Sequence, residues 1–193
     1  MEGKTIRYKP VAYEAIAPDM KLAVIAAEDQ LFPVHKGFDW KAVKESLNGQ
    51  RAGRKGKRPA GAAASTISQQ TAKNVFLWQG TGWSRYVRKV LEVPYTWLIE
   101  QIWGKERILE VYLNVAQTGD GIYGVEAASE TYFRKNSGKL TRKEAAQLAA
   151  TLPNPVVYTV QPPSAFVRRR STWILKQMNN LRGDTEIRKL ISN

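Results

Sequence analysis

Two carboxylates, Glu28 and Asp29, stand side by side where a helical pattern runs out ahead of Pro33. Pro18-Asp19 opens that helix, and Leu22, Ile25 and Ala26 supply its apolar side. A carboxylate in the last turn meets the negative end of the helix dipole, which disfavours the anion and raises its pKa. A raised pKa makes a better base toward a hydroxyl; the plain alternative is a solvated surface glutamate. Asp29 either supports its neighbour by hydrogen bonding or caps the helix. Farther on, Thr66-Ile-Ser-Gln69 has capping-box spacing and starts a helix expected to reach about Trp78, with Gly80 and Gly82 ending it. Gln70 and Lys73, three apart on one face, can converge on one ligand. Ser65 and Thr66, with the free amides of that helix start, make an anion-friendly pocket unless their hydroxyls serve only as caps. Arg88 and Glu92 have the four-residue spacing of an ordinary helix ion pair, worth a few tenths of a kcal/mol. Arg before Glu is the weaker order, so helix stability alone is a poor reason for the pair.

Other chemistries find less support. Gly119-Asp-Gly121-Ile-Tyr-Gly124 fits the dinucleotide fingerprint G-x-G-x-x-G but follows a helical pattern where the fingerprint requires a strand, and reads as a turn between two helices. The single histidine, His35, has no metal-ligand spacing around it and reads as a hydrogen-bonded loop residue. No serine pairs with a histidine in a hydrolase motif, and without cysteine there is neither a thiolate site nor a disulfide framework.

These residues must be held by helices. The chain of 193 residues is long enough for one domain with a core, and 43% apolar against 24% charged residues describes a folded protein. Apolar spacings of three and four recur, no run alternates as a strand does, and an all-α fold is expected. Asp39 is a good N-cap for a helix carrying Trp40, Val43 and Leu47. Residues 49–64 form a basic, glycine-rich loop with Arg51, Arg54, Lys55, Lys57 and Arg58. The helical stretch from Ser84 to Trp103 contains Pro94, which should kink or split it. Thr141 and Glu144 form a second capping box, and Ser164 caps a final long helix with Val167, Ile174, Met178 and Leu181 on one stripe, closed by Gly183.

The formal charge of +13 implies a negatively charged partner, either a phosphate-rich polymer or anionic lipid. No apolar run approaches the roughly 18 residues that span a bilayer, so an anchor, if the protein is membrane-bound, is expected outside this chain.

Five segments occur in order: AAEDQLFPVHKGFD (26–39), ASTISQQTAKN (64–74), RKVLE (88–92), KERILEVYLN (105–114) and RRRSTWIL (168–175). Together they resemble the monofunctional peptidoglycan transglycosylases and the matching domain of class A penicillin-binding proteins, over residues 10–182. The chain departs from the family in having Ala63-Ala64 in place of the usual Gly-Gly, which alters loop flexibility, and a slightly long stretch from Gln79 to Ser84. The resemblance implies a single lysozyme-like, bilobal helical domain over 1–193 with a smaller membrane-facing jaw, for which FLWQGTGWSRY (76–86) is the candidate. It implies transfer, with inversion, from an undecaprenyl-pyrophosphate-linked glycan to the 4-hydroxyl of lipid II.

In that reading Glu28 is the catalytic base and Glu92 the second essential carboxylate. Asp29, Ser65, Thr66, Gln70, Lys73, Asn74, Arg88 and Lys89 serve the substrate, with Lys73, Arg88 and Lys89 toward the pyrophosphate. Glu92 either holds a divalent cation, magnesium or manganese, against the pyrophosphate, or positions Arg88 and Lys73; no cofactor is obligatory. Glu110 and Asn114 read equally well as scaffold, and Arg168 to Arg170 as a solvated or lipid-phosphate-facing patch. The implied partners are lipid II, the lipid-linked glycan, an anionic membrane surface and other cell-wall synthases. The implied place is the outer, periplasmic face of a bacterial cytoplasmic membrane. A lysozyme-like peptidoglycan hydrolase shares the fold and a catalytic glutamate, but has no use for cations facing a diphosphate. A nucleic-acid-binding module rests on charge alone, lacks any recognition signature, and no nucleic acid is expected as partner.

Overall fold

A computed structural model describes residues 5–40, 44, 65–78 and 82–192. The basic loop at 49–64, Gly80 and most of the helix expected after Asp39, including Val43 and Leu47, lie outside the described residues.

The described chain is mainly helical. Helices α1 (Pro18–Glu28), α2 (Ile67–Phe76), α3 (Ser84–Ile102), α4 (Lys105–Val115), α5 (Val125–Phe133), α6 (Arg142–Thr151), α7 (Ala165–Leu181) and α8 (Thr185–Ile191) follow in order. Their boundaries have chemical causes. Thr66 and Gln69 form the expected capping box at α2, Thr141 and Glu144 form the one at α6, and the Ser164 hydroxyl accepts from the Val167 amide at α7. Helix α1 is buried on nearly every side, from Met20 to Ala27. It packs against α6 and α7, which also pack on each other, while α2 lies between α3 and α4. The core is continuous from Ile25 and Ile67 through Ile108 and Leu113 to Leu148, Ile174 and Met178.

Three features depart from the sequence reading. A small sheet exists, with β1 (Arg7–Tyr8) parallel to β3 (Ile122–Tyr123) and β2 (Gln117–Gly119) antiparallel to it. Its glycine-rich segment is therefore a β-hairpin rather than a bare turn. At Gly124, φ is +81° and an added Cβ would lie 2.5 Å from the Asn114 carbonyl oxygen, so glycine is required there for packing, not for phosphate. Helix α3 continues through Pro94 as one helix, so the expected split does not occur. Its buried residues, Glu92, Thr96 and Ile99, lie on both sides of the proline, so packing inward holds the two halves in one helix despite the missing amide. Finally, α7 is not the last helix: Asp184 caps α8 by accepting from the Glu186 and Ile187 amides.

Candidate active site

Glu28 is the last residue of α1, and two other helices reach its carboxylate. Gln70 on α2 donates its Nε2 to Oε2 at 3.1 Å, and Arg170 on α7 reaches Oε1 at 3.2 Å. The Tyr112 hydroxyl on α4 donates to the Gln70 Oε1 at 3.3 Å. Burial pushes the Tyr112 phenol well above its ordinary pKa, so it stays a donor and fixes which end of the Gln70 amide faces Glu28. Arg170 also donates to the Ala27 carbonyl at the end of α1, at 3.3 Å. A cation at a helix C-terminus is favourable, and it offsets the penalty the dipole imposes on Glu28.

Asp29 works at the same junction in another way. Its Oδ2 accepts from the Ile67 amide, the first residue of α2, at 3.0 Å and from His35 Nε2 at 2.8 Å. His35 Nδ1 accepts from the Gly37 amide at 3.1 Å, so the proton belongs on Nε2 and the loop reading of this histidine holds. The Thr66 hydroxyl donates to the Gly37 carbonyl at 2.6 Å and accepts from Gln69, which is capping and bracing of the loop rather than a free donor. Thus Asp29, His35 and Thr66 lock the end of α1 to the start of α2. Beside them a cavity of about 120 Å³ is bounded by Glu28, Asp39, Ser65 and Thr66.

The second cluster lies between α2 and α3. Glu92 is 4% exposed, with Lys89 Nζ at 2.8 Å from Oε2 and Arg88 Nε at 3.5 Å from Oε1. Lys89 also reaches the Ser65 hydroxyl at 3.5 Å. Lys73 faces this cluster from α2 and has no hydrogen-bonded or ion-paired partner among the described residues. Burial pulls its pKa below the ordinary lysine value; Glu92 and, more weakly, Glu28 oppose that shift, while Arg88 and Lys89 reinforce it. One ammonium therefore feels both carboxylates, and the two clusters belong to one site. Asn74 is half-buried on the same helix and carries no side-chain bond among the described residues.

A carboxylate held by an amide and a guanidinium, next to cations in excess of carboxylate, is an arrangement able to move a proton while receiving an anion. The Transglycosylase family model matches residues 2–179. This chain belongs to the transglycosylase family. It is similar to proteins named biosynthetic peptidoglycan transglycosylase: 54% identical over 176 residues to that of Mannheimia succiniciproducens, covering 91% of this chain and 69% of that protein. Identity is 53% over 176 residues to the one from Haemophilus influenzae and 55% over 174 to the one from Shigella boydii, with 69% of each covered.

Within this transglycosylase the structure brings together Glu28, Gln70, Lys73, Arg88, Lys89 and Glu92. Asp29 and Thr66 stand behind them as braces. Glu110 pairs with Arg107, and Asn114 clamps both backbone groups of Val11 at 2.9 Å, so both are scaffold. The residue that sequence reasoning missed is Arg170. Read as part of a solvated patch, its side chain is only 11% exposed and bonds to Glu28. Its neighbour Arg168 turns instead to the Pro163 carbonyl. The available signal was the helical stripe: Val167, Ile174 and Met178 mark the buried side of α7, and Arg170 lies a turn from Val167 and from Ile174.

Glu92 does not fit a protein-built magnesium or manganese site, because its two oxygens face a guanidinium and an ammonium rather than further oxygen ligands. No group of three or more His, Cys, Asp or Glu side chains suited to a metal occurs among the described residues.

Proposed function

We propose that this transglycosylase polymerises lipid II into glycan strands by inverting transfer. Glu28 takes the proton from the acceptor 4-hydroxyl, with Gln70 and Arg170 fixing the direction of its lone pairs. The bond from the donor anomeric carbon to its pyrophosphate breaks as the new glycosidic bond forms, and Lys73, with Arg88 and Lys89, receives the negative charge that departs. Glu92 aims Arg88 and Lys89 and helps keep Lys73 charged. The observation that carries this reading is that Lys73, a half-buried cation whose side chain has no partner among the described residues, senses both Glu28 and Glu92.

The protein works on a membrane surface in this reading, and α3 supports it. Its inward seam contains Glu92 and Thr96, while Val90 is 70% exposed and Trp97 58%, with Tyr86, Val93 and Ile102 also outward. A helix whose outer face carries this many large apolar side chains is stable where that face meets something other than water. The apolar surface thus extends the candidate jaw beyond Tyr86 to Ile102. Part of the segment serves packing instead, since Phe76 stacks on Tyr95 at 5.2 Å between ring centroids. No helix among the described residues is long and apolar enough to cross a membrane.

Purified lipid II supplied to the protein tests the reading, with magnesium, with manganese and with chelator. Formation of glycan polymer supports it, and polymer formation in chelator assigns the charge compensation to the side chains. Release of fragments from finished peptidoglycan without any lipid-linked donor replaces it with hydrolysis.

A further inference from the structure

A further carboxylate is buried on the inward stripe of α3. Glu100 follows Glu92 and Thr96 at successive intervals of four, so the three side chains share one side of the helix. Its side chain is 6% exposed, and its Oε1 accepts from the Ser68 hydroxyl at 2.5 Å and from Lys105 Nζ at 2.6 Å. Ser68 is fully buried in the first turn of α2, and Lys105 is the first residue of α4. The Lys105 ammonium also lies 4.6 Å from the centroid of the Phe32 ring, a buried side chain in the loop after Asp29. At Gly37, where φ is +86°, an added Cβ would come within 2.9 Å of the Thr96 methyl and 3.1 Å of Glu100 Cγ. One carboxylate thus gathers α2, α3, α4 and the loop that carries His35.

The setting of α2 against α3 depends on this joint. Ser68, at the start of α2, meets Glu100 near the end of α3, while Lys73, farther along α2, senses Glu92, earlier in α3. The two helices therefore run antiparallel. Because a hydrogen-bonded helix moves as a unit, a displacement of α2 shifts Lys73 relative to Glu92 and Gln70 relative to Glu28 together. Asp29 and Thr66 fix the first turn of α2 to α1 and its loop, and Ser68 ties that same turn to α3. A buried ion pair adds little stability over apolar packing of the same volume, but its hydrogen bonds have direction.

We propose that Glu100, held by Lys105, is a positioning residue for the transfer. Through Ser68 it sets the register of α2 on α3, and so the place of Lys73 at the departing pyrophosphate and of Gln70 at the base. The inference rests on the transfer proposed above.

Kinetics and melting on the same variants separate positioning from support of the fold. Ser68→Ala removes the tie and leaves the Glu100–Lys105 pair in place. It is expected to lower kcat for lipid II polymerisation roughly ten- to a hundredfold, the cost of a misplacement of about 1 Å. It should also move the alkaline limb of the pH–rate profile to lower pH, because Lys73 loses support from Glu92 while burial, Arg88 and Lys89 still press its pKa down. Glu100→Gln strands the Lys105 ammonium and should lower both Tm and kcat. Adding Lys105→Met removes the stranded charge and should restore Tm without restoring kcat or the limb. Arg142→Ala on α6, which breaks contacts to Asp19 and Asn179, is the control: a lower Tm with kcat and limb unchanged. The double variant decides the matter if Ser68→Ala does not fold. A folded Ser68→Ala protein with wild-type kcat or an unmoved limb, or recovery of kcat together with Tm in the double variant, overturns the proposal. Absence of polymer with the wild-type protein instead overturns the transfer reading itself.

Discussion

Replacing Glu28 by Gln removes a proton acceptor while keeping the shape of the side chain, and the surroundings allow the two consequences to be separated. The glutamine amide can still meet Gln70 and can offer Arg170 an oxygen, so what disappears is the charge in the 3.2 Å contact with Arg170. Hydrogen bonds to charged groups contribute roughly 1.5–3 kcal/mol. Against this, a carboxylate at the end of α1 opposes the helix dipole at a cost of about 0.3–1 kcal/mol, which the substitution relieves. The net destabilisation is then about 1–2 kcal/mol, equivalent to a fall of roughly 2–8 °C in Tm for a domain of this size. A protein with about 5–15 kcal/mol in hand remains folded at 25 °C. Loss of the general base should lower kcat for lipid II polymerisation roughly 10² to 10⁴-fold. Thermal melting followed by circular dichroism and initial rates at saturating lipid II give both numbers on one sample. A folded Glu28→Gln protein with wild-type kcat, or one whose defect lies wholly in KM, refutes the assignment.

Because burial lowers the pKa of Lys73 from its ordinary 10.5, the site should lose its charge, and activity its alkaline limb, below the pH at which an exposed lysine titrates. The folded state sheds this proton before the unfolded chain does, so the unfolded state binds more protons in that window and stability rises with pH through it. Lys73→Arg keeps the charge and should move the activity limb upward in a pH–rate profile; an identical limb in both proteins would assign it to another group. Asp29→Ala strands the Ile67 amide and the His35 ring, two buried donors, and should cost about 2–4 kcal/mol in denaturant titration; a change under about 0.5 kcal/mol would show that the junction is not braced there. Trp97→Ser, on the outer face of α3, should leave stability within about 0.5 kcal/mol and reduce sedimentation with anionic vesicles about tenfold; unchanged vesicle binding would remove α3 from the membrane contact.

Local chemistry was the legible part of this sequence. The capping boxes at Thr66 and Thr141 and the cap at Ser164 depend on residues three apart, and all three form. The ordered segments around Glu28, Lys73 and Glu92 marked the site because each sits on a helix whose face the spacing fixes. Less legible were features decided across the chain. Arg7 and Tyr8 become a strand only by pairing with Ile122 and Tyr123, which two residues of local pattern cannot announce. Pro94 reads as a helix breaker until α2 is known to pack on both sides of it. Arg170 was hidden by its own context: a run of three arginines looks like a charged surface, and only the packing of α7 on α1 brings one of them to Glu28 while Arg168 turns back to Pro163.

The electrostatics of the α2–α3 seam explain why a folded protein would keep such an arrangement. Lys73, Arg88 and Lys89 stand near the buried carboxylate of Glu92, with Arg88 and Lys73 partly buried and the Lys89 side chain 52% exposed, so cations outnumber carboxylates in this seam. Withdrawing a charge from water opposes folding, and the pKa of Lys73 is lowered first by its burial and then by Arg88 and Lys89. Replacing Lys73 by methionine should therefore stabilise the protein while abolishing its purpose, as expected where a binding site is strained against stability. In the proposed transfer, a departing pyrophosphate would supply the missing negative charge at the moment it forms, and partial burial of Lys73 and Arg88 would strengthen its binding. If Lys73→Met instead melted well below the wild type, the cations would already be balanced in the resting protein, and they would have no excess charge to offer a leaving group.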